Sequence, residues 1–201
     1  MSRLSRQAAV DAGLRLVDAR GLDALSMRNV AAEVGCPVMS LYRHVTSKED
    51  LEDAIVQHLV GGIELAAPQS TWEGMLRGWA AAYREMVRAH PNAVPLIGAR
   101  PTAGYASQRD GVELILRLLQ EAGDTPEGAI RHLRTALMVI LGYCHFEVGT
   151  GTPAPPGATA HLAASGFPLL AGLVARIGQD SDEVFALMLD MVMGGIARDL
   201  P

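Results

Sequence analysis

At 201 residues the chain can bury a sizeable core in one or two domains, and 49% apolar with only 4% aromatic residues favours packed helices over sheets. The N-terminal segment MSRLSRQAAV lacks the apolar run of a signal peptide, and no stretch approaches the roughly 18 apolar residues of a membrane span. The two cysteines, Cys36 and Cys144, lie far apart in the sequence, which indicates a reducing cytoplasm. The formal net charge is −5, but the residues through Lys48 carry +3 and the remainder −8, an asymmetry expected when one end of a protein meets phosphates.

Three short helices are predicted at the N-terminus. The first covers 6–19, where apolar residues recur at helical spacing. Ser26 is a good N-cap for a second helix that reaches Val34. A third is predicted over 37–45, with proline in its first turn. Because the last two helices are joined by a tight turn at Gly35, the pattern describes a helix-turn-helix unit.

The rest of the chain is also predicted to be helical, with no strand-like alternation. Ser47 followed by Asp50 resembles a capping box, which opens a long fourth helix. The pair Gly61-Gly62 marks either a soft joint in that helix or its end, because glycine disfavours a helix interior. Helical spacing and start and stop signals predict further helices over 72–89, 93–99, 105–121, 126–148, 161–177 and 182–198, with a loop over 149–158.

The segment VGCPVMSLYRHVTSKEDL, residues 34–51, carries the first functional signal. On the predicted third helix, Leu41 and Val45 lie four apart and face inward. The remaining side chains face outward, and a helix fits the DNA major groove, where hydrogen bonds and apolar contacts read the sequence. This arrangement predicts a DNA-facing set that comprises Val38, Met39, Ser40, Tyr42, Arg43 and His44.

Lys48 is the only lysine of the chain, and it lies in the first turn of the fourth helix. The dipole of a helix favours an anion at this end, so a lysine there is unfavourable by itself. A phosphate bound to Lys48 and to the free backbone amides of this first turn would remove the conflict. The alternative is that these residues are only a solvated surface. A second alternative is a small all-α enzyme or carrier whose Tyr42, Arg43 and His44 bind an anionic substrate. A steep salt dependence would distinguish DNA from such a substrate.

Residues 6–59 resemble the DNA-binding domain of the tetracycline-repressor (TetR) family of bacterial regulators. The matching pieces are AGLRLVDARGLDALSMRNVAAEVG and SLYRHVTSKEDL. The resemblance implies that Pro37 to His44 form the recognition helix. It also implies that Ser26 and Arg28 touch the DNA from the preceding helix, and that Tyr42, His44 and Lys48 contact phosphates.

A fainter resemblance to the tetracycline-responsive branch covers LIGARPT, residues 96–102, and the helix over 127–147. This sequence differs from that branch at three positions. Leu96 replaces the histidine that binds the metal ion, and Glu64 replaces another polar contact. Trp79 replaces a small amide side chain that contacts the drug. These differences argue against binding of a tetracycline–magnesium complex. We expect instead a largely hydrophobic small-molecule effector, bound without a metal or cofactor.

Polar and aromatic side chains among apolar helices are the signal for a ligand cavity. The predicted lining comprises Trp79, Tyr83, Met86, Leu96, Arg100, Tyr105, Arg117, Met138, Leu141 and His145. Ordinary core packing is the alternative for Trp79 and Met86. A metal site at His145 and Glu147 is disfavoured, because residues two apart on a helix point to different sides. No Ser, His and Asp set or paired carboxylates suggest catalysis.

The helices over 126–148 and 182–198 are apolar nearly all round, so each must be buried on two sides. The resemblance implies that they pair across a two-fold axis in a four-helix bundle; the alternative is a monomer that buries both. The predicted interface comprises Leu133, Leu137, Phe185, Leu187, Met188 and Val192.

Together these signals predict an all-α homodimeric regulator, a repressor released from a palindromic operator by its effector. Its predicted parts are a helix-turn-helix DNA-binding domain (1–46), a connecting helix (47–67) and a ligand-binding and dimerisation domain (68–201).

Overall fold

A computed structural model of the chain describes residues 4–64, 70–149, 157–177 and 179–201, and every regular element in these ranges is helical. The predicted all-α fold is therefore confirmed. The helices are α1 (Arg6–Arg20), α2 (Met27–Val34), α3 (Val38–Leu41), α4 (Lys48–Gly61), α5 (Trp72–Ala89), α6 (Val94–Ala99), α7 (Pro101–Ser107), α8 (Arg109–Glu121), α9 (Pro126–Gly149), α10 (Ala158–Ala164), α11 (Pro168–Arg176) and α12 (Ser181–Asp199), with 3-10 turns at Leu22–Ala24 and Pro91–Ala93.

The chain divides into two compact units, Met1–Glu121 and Ala122–Pro201. In the first unit, one apolar core joins helices α1 to α4 with residues of α6 and α7. In the second unit, α9 packs on α12 and α10 packs on α11. None of the helices within the described ranges is both long and apolar enough to cross a membrane.

Local sequence sets the ends of the N-terminal helices. The Ser26 hydroxyl accepts a hydrogen bond from the Asn29 amide, and the Ser47 hydroxyl accepts one from the Asp50 amide, so both predicted N-caps are confirmed. Gly35 ends α2 with a φ of 76°, a left-handed conformation that favours glycine. The capping box itself is incomplete, because the Asp50 carboxylate accepts from the Thr46 amide instead of the Ser47 amide.

The third helix is shorter than predicted, since α3 spans only Val38–Leu41. The next residues form a turn, in which the Arg43 and His44 amides donate to carbonyls three residues back, at 3.3 and 2.9 Å. Such i→i+3 bonds tighten the backbone relative to an α-helix. The prediction over 37–45 therefore identified a helix but placed its end too late.

Two other predicted helices are each divided in the structure. The helix predicted over 105–121 is α7 followed by α8, with a break at Gln108, whose side chain donates to the Val60 carbonyl at 2.6 Å. The helix predicted over 161–177 is α10 followed by α11, separated at Gly166, which has a φ of 88°. Most of the predicted 149–158 loop, residues 150–156, lies outside the described residues.

The Gly61-Gly62 pair marks a helix end, since Gly61 is the last residue of α4 and Gly62 is its C-cap. A Cβ atom on Gly61 would lie 3.2 Å from the Ser107 Cβ atom of α7. Glycine therefore permits the close packing of the α4 end against α7, and the structure supplies a reason for Gly61 other than a joint.

Candidate DNA-binding surface and ligand-binding region

The predicted recognition segment has one side buried in the protein core and one side exposed to solvent. Leu41 and Val45 are fully buried in the core of the first unit, as their spacing predicted. Met39 is 76% exposed and Tyr42 is 42% exposed, and Arg43 is also exposed. These three side chains therefore form the outward surface of α3 and of the turn that follows it.

The other predicted DNA-facing side chains of this segment are less accessible. Val38 is half-buried and packs against the apolar core, and Ser40 and His44 are half-buried as well. Pro37, the N-cap of α3, is exposed. The structure thus separates the exposed Met39 from Val38, which contributes to packing.

The neighbouring elements add basic side chains. Arg28 is exposed on α2, while the Ser26 hydroxyl is already engaged in capping that helix. Lys48 is exposed at the start of α4, and its Nζ lies 3.5 Å from a Glu52 carboxylate oxygen. Glu52 itself is largely buried and also pairs with Arg100, so its carboxylate keeps a positive partner when the exposed Lys48 side chain turns to a phosphate.

The structure adds a contact at this surface that the sequence did not predict. Arg6, the first residue of α1, forms two hydrogen bonds with the Asp50 carboxylate and one with the His44 carbonyl. The contact joins residues 44 positions apart, so no local spacing pattern could have indicated it.

Several predicted ligand contacts of the first unit pack inside it. The Trp79 and Tyr83 rings of α5 stack with their centroids 5.0 Å apart. Tyr83 and Leu96 are only 1% and 2% exposed, and Met86 packs against the apolar core. Leu96 belongs to that same core, so in this structure it supports the packing of α6.

The predicted polar contacts of this unit are engaged with neighbouring carboxylates or exposed. Arg100 pairs with Glu52 and Asp53, which ties the end of α6 to α4. Arg117 is exposed and pairs with Glu113 one helical turn away, at 3.3 Å. The Tyr105 side chain on α7 is 42% exposed. Arg100 therefore has a structural partner that the sequence did not reveal.

In the second unit, the predicted ligand residues lie along α9. Met138 is 61% exposed, while Leu141 and His145 are half-buried. Burial lowers the pKa of His145, which favours its neutral ring. A surface groove of about 370 Å³ follows the same helix, and its lining comprises Arg131, Arg134, Thr135, Met138 and Val139.

The residues predicted for the dimer interface fall into two groups. Leu133, Leu137 and Phe185 are buried within the second unit, where α9 packs on α12. Leu187 is 59% exposed, and Met188 and Val192 are half-buried. Both helices also expose a second apolar surface, which consists of Ile130, Met138, Val139 and Phe146 on α9 and Val184, Leu187 and Met191 on α12.

A second long-range cluster, also missed by sequence reasoning, joins the ends of α9 and α12. His132 Nδ1 lies 2.7 Å from an Asp124 carboxylate oxygen, and Nε2 lies 2.9 Å from one of Asp199. Asp124 precedes α9 and Asp199 ends α12. Across the described ranges, no group of three or more His, Cys, Asp or Glu side chains is arranged to hold a metal ion.

Comparisons with known proteins match both parts of the chain. The model of the bacterial regulatory proteins of the tetR family matches residues 9–55, and that of the tetracyclin repressor-like C-terminal domain matches residues 66–200. The solved structure of apo ActR from Streptomyces coelicolor superposes with a TM-score of 0.81 at 26% identity, and covers 98% of this chain and 97% of that one. ActR in complex with actinorhodin superposes with a TM-score of 0.80 at 25% identity, and covers 98% and 99%.

Several curated relatives are repressors, and two of them illustrate the match. The HTH-type transcriptional repressor DrrR1 of Streptomyces coeruleorubidus is 36% identical over 70% of this chain and 51% of its own length. The class D tetracycline repressor protein of Escherichia coli is 32% identical over 74% of this chain and 66% of its own length. The chain thus spans between half and two thirds of the length of these relatives. It belongs to the TetR family of bacterial transcriptional regulators, which are DNA-binding proteins and not enzymes.

Proposed function

We propose that the chain is a ligand-controlled transcriptional repressor that binds a near-palindromic operator as a homodimer in the cytoplasm. The observation that carries this proposal is the outward presentation of Met39, Tyr42 and Arg43 on a segment whose Leu41 and Val45 are fully buried. A short helix held in this way can enter the major groove without disturbing its own core.

Exposure supports separate roles for the predicted DNA contacts. Met39 and Arg43 are free to reach base edges, through an apolar contact to a thymine methyl group and hydrogen bonds to guanine. Tyr42, Lys48 and the half-buried His44 suit phosphate contacts that fix the orientation of the helix. Arg28 on α2 adds a further basic contact.

Homodimer formation is supported by the exposed apolar surfaces of α9 and α12. A helix exposed on a second apolar side gains free energy when a second subunit buries that side, which agrees with the pairing that the family resemblance implies. Charge also favours a two-fold arrangement. Arg131 and Arg134 lie at one end of the pair, where α12 terminates, while Asp182 and Glu183 begin α12 at the other end. An antiparallel partner would bring opposite charges together.

Release by a small-molecule effector is supported by the names of the relatives. The curated relatives include tetracycline repressors and the repressor DrrR1, and ActR has been solved with actinorhodin. Leu96 carries no metal-ligating group, which supports an effector bound without a metal. Arg100 and Gln108 connect α4 to α6 and α7, so a ligand that moves these helices also moves the helix that begins beside the recognition turn.

The test starts with selection of a bound duplex from a randomised library at moderate salt. We expect the retained sequences to converge on a near-palindrome, and a steep log–log salt slope for its binding. Failure to enrich any sequence above random duplex would overturn the proposal.

The same duplex tests the effector. Actinorhodin, the ligand solved with ActR, serves as the probe added without a metal, and tetracycline with magnesium serves as the metal-dependent one. Trp79 fluorescence is followed in a Trp72→Phe variant, which leaves a single tryptophan. We expect actinorhodin to quench Trp79 in the presence of EDTA. We also expect it to bind more weakly when the operator is present, because the two ligands oppose each other by the same coupling energy, typically 1–3 kcal/mol. Quenching that requires magnesium would contradict the metal-free effector, and indifference to the operator would contradict the coupling.

A further inference from the structure

Arg6 connects the beginning of α1 to the turn between α3 and α4. Its Nη2 atom lies 2.6 Å from Asp50 Oδ1, and its Nη1 atom lies 3.0 Å from Asp50 Oδ2. Nη1 also donates to the His44 carbonyl at 3.2 Å. A bidentate arginine–carboxylate pair fixes orientation as well as distance, so Arg6 holds both the turn and the first turn of α4.

Asp50 is the centre of this arrangement. Besides Arg6, its Oδ2 atom accepts from the Thr46 amide at 2.7 Å and from the Thr46 hydroxyl at 3.1 Å. The Asp50 amide donates to the Ser47 hydroxyl at 3.1 Å. Hydrogen bonds from Arg6 and then from the Thr46 amide hold the pKa of Asp50 well below its usual range. The carboxylate is therefore ionised at neutral pH.

The segment fixed by this pair lies among the proposed phosphate contacts. Tyr42 and His44 precede Thr46, and Lys48 follows it. Asp50 places a negative charge close to these groups, which by itself disfavours approach to a phosphate. Its carboxylate is nevertheless committed to Arg6 and Thr46, so the geometry gives this charge a role inside the protein.

We propose that Arg6 and Asp50 are positioning residues for DNA binding, which orient the turn that carries the phosphate contacts without touching the DNA themselves. This inference rests on the proposed DNA-binding function. It assigns Arg6 a different role from Arg28 or Lys48, because the Arg6 charge is neutralised within the protein. It also predicts that removal of the negative charge of Asp50, although this charge lies near the DNA, weakens DNA binding.

The decisive variant is Asp50→Asn, and its matched control is Glu49→Gln. Glu49 lies in the same first turn of α4 and is exposed, so both substitutions remove one negative charge from the same region. Only Asp50→Asn breaks the bidentate pair with Arg6. We expect Asp50→Asn to lower the affinity for the selected operator about tenfold or more, while Glu49→Gln leaves it unchanged or slightly raises it. Equal or tighter operator binding by Asp50→Asn would overturn the proposal.

Arg6 is tested by a double-mutant cycle. If it acts through Asp50, Arg6→Gln and the double variant with Asp50→Asn should lose the same affinity as Asp50→Asn alone, at an unchanged salt slope. If Arg6 instead contacts a phosphate, Arg6→Gln will lower the salt slope by about one unit, the two losses will add, and the proposal fails.

Folding is checked by far-UV circular dichroism and thermal melting of each variant. Should Asp50→Asn not fold, Arg6→Lys replaces it, because it keeps the positive charge and loses the fork that matches the carboxylate. We expect at least a severalfold loss of operator affinity for Arg6→Lys, and unchanged affinity would overturn the proposal. Failure of the wild-type chain to prefer any duplex contradicts the proposed function, whereas a wild-type preference that Asp50→Asn retains contradicts only the positioning role.

Discussion

His132 is a residue whose protonation state follows from its neighbours. Both of its ring nitrogens lie within hydrogen-bond distance of carboxylate oxygens, from Asp124 and Asp199. Ionised carboxylates only accept hydrogen bonds, so this arrangement favours the imidazolium form, in which both ring nitrogens donate. The hydrogen bond with Asp124 raises the pKa of His132 above 6.5, although burial opposes the shift. A Cβ on Gly128 would collide with the Asp124 carboxylate, so glycine at that position makes room for the cluster.

This cluster predicts a pH dependence of stability. Because the folded pKa of His132 is raised, the stabilisation is fully present below the unfolded value of 6.5 and is lost as the pH rises through the folded pKa. The free energy of unfolding of the wild-type protein should therefore fall over that window. In His132→Asn the fall should be reduced. His161→Asn, which alters an exposed histidine, should retain it, and identical pH profiles for wild type and His132→Asn would contradict the account.

A second residue-scale prediction distinguishes the residues that contact bases from the residue that contacts a phosphate. Met39→Ala and Arg43→Ala should change which base pairs are preferred, at about 1–3 kcal/mol for each lost contact. Lys48→Ala should weaken binding to all sequences and lower the salt slope by about one unit. Competition binding with single-base operator variants measures the first effect, and a salt titration measures the second. A reversed pattern would mean that α3 enters the groove in a different rotation.

At the scale of elements, helix starts follow from local sequence and some helix ends do not. Ser26 and Ser47 cap their helices as predicted, since the capping bond needs only residues three positions apart. The break at Gln108 coincides with a hydrogen bond from the Gln108 side chain to the Val60 carbonyl, 48 residues away. The early end of α3 likewise accompanies a turn tied to Arg6. Local periodicity carries no information on such partners, which explains why the helix predicted over 37–45 was too long and why the helix predicted over 105–121 lacked the break at Gln108.

The exposed apolar surface of α12 gives the element-scale prediction. Leu187→Glu and Met191→Glu should dissociate the proposed dimer, because an unpaired carboxylate in an apolar interface costs several kcal/mol. Operator affinity should fall with it, although no DNA contact changes. Ala186→Glu is the control, since it adds the same charge to another exposed side of α12. Sedimentation velocity measures the outcome, and intact dimers for both Leu187→Glu and Met191→Glu would move the interface elsewhere.

At the scale of the molecule, composition and periodicity were sufficient to predict the fold class. The pieces AGLRLVDARGLDALSMRNVAAEVG and SLYRHVTSKEDL, taken together, were sufficient to predict the family. The candidate site was less predictable. Its inward residues, Leu41 and Val45, followed from spacing alone. The ion pairs near this site could not be predicted from spacing, because Arg6 and Asp50 lie 44 residues apart and Arg100 and Glu52 lie 48 residues apart. Ion pairs of that separation form only once the helices have packed.

The most direct measurement of the central claim is an equilibrium titration of the wild-type protein with two duplexes at the same moderate salt concentration. One duplex is the selected near-palindrome, and the other is its scrambled sequence of equal length and composition. We predict that two protomers bind the palindrome at least about 10³-fold more tightly than the scrambled duplex. Equal affinity for the two duplexes would contradict a sequence-reading role for the surface formed by Met39, Tyr42 and Arg43.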